Sequence, residues 1–110
     1  MKLPGGDCAV VDLEKLRKYC LSVHHPRGRH KARVFASVLG LVQEDAEILK
    51  QALLDSVVEC DAALGEDDSY GRRYVVDFQM RGPKGLATVR SIWIILSQER
   101  YPRLVTCYLV

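Results

Sequence analysis

Long apolar runs are missing from this sequence. The longest, Ile92 to Leu96, is five residues, against the roughly 20 that a membrane-crossing helix needs. Met1 to Asp12 also lacks the apolar stretch of a secretory signal. The expectation is a soluble, cytoplasmic chain with no membrane partner. The four cysteines, Cys8, Cys20, Cys60 and Cys107, form no C-x-x-C pair and no Cys/His zinc spacing. Buried, reduced thiols are the expected state, with a disulfide left open. There is no G-x-S-x-G elbow, P-loop, H-E-x-x-H helix or Cys/His nucleophile spacing. Serine-hydrolase, nucleotide-triphosphatase and metalloprotease chemistry therefore find no support, and neither a metal site nor a cofactor is expected.

What remains is an ordinary globular composition. Of 110 residues, 48% are hydrophobic and 27% charged, which points to one domain over residues 1–110 folding around its own core. The net charge of +2 conceals segregation. Residues 15 to 43 hold seven cations and no acid, residues 44 to 68 nine acids and one cation, and residues 69 to 110 seven cations and two acids. All three histidines, His24, His25 and His30, fall in the first basic block. Two readings of this pattern stand. Opposed solvated faces keep a small domain soluble, or two basic segments converge on a phosphate-binding face with the acidic helix behind it.

The periodicity predicts three helices and then strands. A short helix over about 13 to 21 is capped by Asp12. A second runs from about His30 to Leu39, with Val34, Phe35, Val38 and Leu39 at helical spacing and Gly40 as its stop. A third covers roughly 44 to 63, with acids at its start. Gly65 to Gly71 reads as an exposed connector. Alternation then takes over. With Pro83 and Lys84 as the loop of a hairpin, Met80 pairs with Ala87, Phe78 with Val89, Val76 with Ser91 and Tyr74 with Trp93 on one face. Gln79 with Thr88, Asp77 with Arg90 and Val75 with Ile92 share the other. A last strand runs from Arg103 to Leu109. The expected fold is α+β: about three N-terminal helices followed by a three- to four-stranded antiparallel sheet.

Two constellations stand out. The segment Arg27-Gly28-Arg29-His30-Lys31, with Arg33 beyond it, crowds cations into a helix start whose amide ends are already positive. An anion placed there relieves the conflict, and backbone N–H groups at a helix start suit phosphate. By helical spacing to Val34 and Phe35, His30 and Lys31 project from the edge that meets the core. His30 is then either a half-buried structural residue or an acid–base group. On the sheet, Asp77 with Arg90 is either a cross-strand ion pair or a phosphate-binding arginine held by a carboxylate. Thr88, Thr106 and Tyr108 add hydroxyls on adjacent strands.

The segments L-P-G-G-D-C-A-V-V-D, H-P-R-G-R-H-K-A-R-V-F, Y-V-V-D-F, A-T-V-R-S-x-W-I-I and P-R-L-V-T-C-Y together resemble a small bacterial domain of uncharacterised function, found alone and at the C-termini of toxin-like proteins. In layout that domain is similar to the barnase, EndoU, colicin and RelE group of metal-independent ribonucleases. The resemblance implies RNA as partner, cleavage through the neighbouring 2′-hydroxyl, and a cognate antitoxin or immunity protein. It also implies roles: His30 as acid or base, Lys31 and Arg90 as phosphate stabilisers, and Thr106 as a hydrogen-bond donor. Arg27, Arg29, Arg33, Thr88 and Tyr108 would bind substrate, and Asp77 would orient Arg90. The alternative is a non-catalytic module that binds an acidic protein partner or nucleic acid.

Overall fold

The computed structural model describes residues 1–110. The first helix, α1, is Leu13–Lys15 widening without a break into a π turn, Leu16–Cys20. Asp12 caps it, its side chain accepting from the Glu14 amide at 3.0 Å. The second helix, α2, is Arg29–Val34 widening in the same way into Phe35–Leu39, and it stops at Gly40, whose φ of 77° suits glycine. A short 3-10 turn, Gln43–Asp45, leads into α3, Ala46–Glu59. Strands β1 (Ala62–Asp67), β2 (Gly71–Gly82), β3 (Gly85–Leu96) and β4 (Arg103–Leu109) form one antiparallel sheet in chain order.

The hairpin register is as expected. Met80, Phe78, Val76 and Tyr74 oppose Ala87, Val89, Ser91 and Trp93. Alternation then buries one face, with Tyr74, Val76, Phe78 and Met80 on β2 and Val89, Ser91 and Trp93 on β3. Against that face pack Leu16 and Cys20 of α1, Phe35 and Leu39 of α2, and Leu49, Leu53 and Val57 of α3. One polar chain runs through this core. Trp93 Nε1 donates to Ser91 Oγ at 2.8 Å, and Ser91 Oγ donates to the Val76 carbonyl at 2.7 Å. The indole N–H is thereby satisfied in a place with no water.

Two close approaches fix the helices relative to the sheet. Gly82 lies against the Leu39 backbone, where any Cβ would collide with the Leu39 carbonyl. The Lys84 amide donates to that same carbonyl at 3.1 Å. The end of α2 is thus locked to the base of the β2–β3 hairpin. On the other side of the sheet, Val10 bridges Arg103, so an N-terminal segment lies along the outer edge of β4.

Two expectations are corrected. The third helix ends at Glu59, not near residue 63, and Ala62–Asp67 is strand β1 rather than part of a helix and connector. Ala62 pairs with Val76 and Leu64 with Tyr74, so the long β2 recruits the apolar tail of the acidic block as an edge strand. The stripe of α2 also differs. Ala32, Phe35 and Leu39 are buried while Val34 and Val38 are each 41% exposed. Ala32, Phe35 and Leu39, at i, i+3 and i+7, form an ordinary helical stripe that leaves Val34 and Val38 on its flank.

Candidate functional site

The sheet face turned away from the helices carries the second hairpin set: Val75, Asp77 and Gln79 on β2, opposite Ile92, Arg90 and Thr88 on β3. Tyr108 of β4 faces Arg90. Val75, Asp77, Arg90, Ile92 and Tyr108 line a groove of about 550 Å³ there. Its floor is apolar, and its charged lining is the Asp77–Arg90 pair together with Asp61 at the β1 end, which Lys2 approaches at 3.7 Å. Arg90 meets Asp77 through two parallel bonds, Nε to Oδ1 and Nη2 to Oδ2, each 2.9 Å. The hydrogen-bonded carboxylate, with a smaller contribution from nearby Tyr108, raises the guanidinium pKa further above its ordinary value, so Arg90 is a permanent cation. Gln79 Nε2 donates to Thr88 Oγ1 at 2.6 Å, so the Thr88 hydroxyl is already engaged.

Helix α2 meets this groove through one side chain. Lys31 Nζ sits 4.5 Å from the centre of the Tyr108 ring, a cation–π contact that joins the basic helix to the strand beside Arg90. Lys31 forms no ion pair, and neither do Arg27, Arg29 or Arg33, all exposed around it. The result is a ridge of uncompensated cations running from the loop before α2 to the rim of the groove.

The loop is held by His25. Its Nδ1 accepts from the Arg27 and Gly28 amides at 3.1 and 3.3 Å, and its carbonyl accepts from the Gly28 and Arg29 amides at 3.2 and 2.9 Å. Its ring packs on Tyr19 at 4.3 Å between centroids. The amides of Arg27, Gly28 and Arg29 are therefore occupied within the chain, and the cationic side chains, not these three amides, are what the loop offers an anion.

The candidate residues are not all gathered. Lys31, Tyr108, Arg90 and Asp77 form one contiguous set. His30 is exposed on α2, one residue from Lys31, with no side-chain hydrogen bond, which corrects the half-buried reading. The buried stripe through Ala32 and Phe35 turns it outward. Thr106 opposes Ile92 in register, but its Oγ1 is buried and makes no hydrogen bond.

Behind Thr106 lies a pair that the sequence spacing did not reveal. Cys20 and Cys107, both buried and both free thiols, come together between α1 and β4, near enough for each to perturb the other's ionisation. The neighbouring Cys107 thiol, with a small contribution from Lys15, favours the Cys20 thiolate and brings its pKa from 9.0 down to about 7. The Cys20 thiol and burial together push Cys107 well above the ordinary thiol value. No signal short of the β4 register and the end of α1 would have brought residues 20 and 107 together. Elsewhere, no three His, Cys, Asp or Glu side chains gather as metal ligands, and no helix is long and apolar enough to cross a membrane.

The architecture is an α+β domain with N-terminal helices on one face of a four-stranded antiparallel sheet and an open face lined at one edge by unpaired cations. The chain belongs to the DUF6883 family, a domain of unknown function, which it matches over residues 2–110. No curated protein matches it along the sequence. Among solved structures it is similar to a chain of a contact-dependent growth inhibition toxin–immunity protein complex from Klebsiella pneumoniae 342. The TM-score is 0.70 at 14% identity, over 92% of this chain and 99% of that one. At that identity the likeness is one of fold.

Proposed function

We propose that this domain is a toxin-type module that binds RNA across the open face of its sheet and cleaves it through the neighbouring 2′-hydroxyl. The observation that carries this reading is the junction of Lys31, Tyr108 and Arg90. There a ridge of cations without acidic partners runs into a groove with an apolar floor and a held guanidinium. Unpaired cations supply affinity for the phosphate backbone. A Tyr ring beside Arg offers a stacking surface for an unpaired base. The fold likeness to a chain from a toxin–immunity complex supports the toxin setting.

In the proposed reaction a base removes the proton of the 2′-hydroxyl, and the freed oxygen attacks the adjacent phosphorus. The bond to the 5′-oxygen breaks, leaving a cyclic phosphate, and an acid returns a proton to the departing oxygen. His30 is the proton-transfer group, exposed and free of other hydrogen bonds. Lys31 and Arg90 stabilise the charge on the phosphorus oxygens. Asp77 orients Arg90. The test is incubation of the protein with RNA in EDTA, comparing wild type with His30→Ala and analysing the ends.

One observation favours a second reading. Asp77 already holds Arg90 through Nε and Nη2, and nothing orients the His30 ring. The same cationic face would then be a docking surface for an acidic immunity protein or for nucleic acid without turnover. Salt-sensitive binding with intact RNA distinguishes this from catalysis.

A further inference from the structure

The sheet is unfinished on one side. Strand β1 pairs with β2 no further than Ala62 with Val76, so Asp77 to Gly82 has no strand on that flank. Gly82 and Gly85 close the hairpin as a hydrogen-bonded pair, which puts Met80 and Phe78 in hydrogen-bonded register with β3. The amides and carbonyls of Gln79 and Arg81 therefore point outward, away from β3. Beside them α3 forms the other wall of a groove of about 830 Å³. Ile48, itself 58% exposed, and Ala52 give that wall an apolar patch. Asp55 and Glu59 give that wall two negative charges against the single cation Arg81 on the strand side; neither acid has an ion-pair partner, and Asp55 accepts from Gln51 Nε2 at 2.9 Å. The only cation of α3 is Lys50.

We infer that this edge takes up an extended, basic segment of a partner protein as a fifth strand. Its backbone would complete the ladder at Gln79 and Arg81, its Lys or Arg side chains would meet Asp55 and Glu59, and an apolar side chain would cover Ile48. Strand addition gives affinity through main-chain bonds, and the flanking side chains give specificity. The acidic wall selects the sign of the partner, because a like-charged segment is repelled. This groove lies at the helix-covered side of the sheet, apart from the Arg90 groove, so the inference does not depend on RNA cleavage.

The test is selection of random peptides displayed on phage against the immobilised full-length chain, followed by affinity measurements with synthetic copies. The expected binders alternate Lys or Arg with apolar residues and slow hydrogen exchange at the Gln79 and Arg81 amides. They lose at least about tenfold in affinity to an Asp55→Lys/Glu59→Lys variant. Arg81→Pro removes an outward-facing donor while sparing the β2–β3 ladder, so it should weaken binding similarly without lowering the melting temperature. Acidic binders, binders indifferent to both variants, protection elsewhere on the chain, or recovery of no binder at all would overturn the inference.

Discussion

Arg90 and Asp77 face each other across β2 and β3 and are joined by two bonds of 2.9 Å on the open face of the sheet. Their side chains remain 40% and 38% exposed. At that exposure solvent screens the pair, so its geometry matters more for aiming Arg90 than for holding the fold. Arg90→Ala should therefore melt close to wild type while lowering RNA cleavage by about 10²–10³-fold. Asp77→Asn keeps the position but loses the charge. It should leave RNA affinity equal or higher and lower the cleavage rate, a split read from single-turnover kinetics against RNA concentration.

The buried polar chain gives a stability prediction. Ser91→Ala leaves the Trp93 Nε1–H without an acceptor in a fully buried site. The cost should be about 1–3 kcal/mol, measured by urea unfolding followed through the fluorescence of the one tryptophan. Ser91→Ala combined with Trp93→Phe, followed by circular dichroism, should cost less than the sum of the two single changes, because no donor is then stranded.

The contact between Gly82 and Leu39 couples packing to the site. Gly82→Ala forces a Cβ against the Leu39 carbonyl and must push the end of α2 from the hairpin base. A loss of about 1–3 kcal/mol is expected. Because the same helix brings Lys31 to Tyr108, RNA affinity should fall as well, at temperatures where the variant is still folded.

The sheet was legible because its turn is explicit. Gly82-Pro83-Lys84-Gly85 pins the register, and once pinned, two-residue alternation assigns every side chain of β2 and β3 to a face. The end of α3 was not legible. Val57 and Cys60 continue its apolar stripe and no breaker follows, while the pairing that turns Ala62–Asp67 into a strand lies in β2, a non-local cause. His30 was misplaced for a related reason. Spacing to Val34 and Phe35 aims it at the core, but Ala32, Phe35 and Leu39 are the residues that α2 buries. The open edge beside α3 and the Cys20–Cys107 pair are consequences of topology that no local pattern encodes.

The thiols should differ sharply. Cys8 is exposed and should react with a thiol reagent in the native chain, whereas Cys20 and Cys107 should react only on unfolding. Cys20 ionises at lower pH folded than unfolded, so it stabilises the fold above the ordinary value of 9.0, and this is lost as pH falls through about 7. Cys107 is raised, so its contribution is full below 9.0 and is lost as pH rises through its folded value. Stability should climb between about 7 and 9.0 and then decline. Urea midpoints across that range should lose the climb in Cys20→Ala.

The most direct test is cleavage of total RNA by the purified chain in EDTA, with His30→Ala and Arg90→Ala alongside and the product ends analysed. The proposed function predicts cyclic phosphate ends from wild type, a loss of about 10²–10⁴-fold in His30→Ala, and unchanged melting of that variant, since His30 is exposed and makes no side-chain hydrogen bond. Intact RNA at high protein concentration, or cleavage by His30→Ala at the wild-type rate, would contradict it.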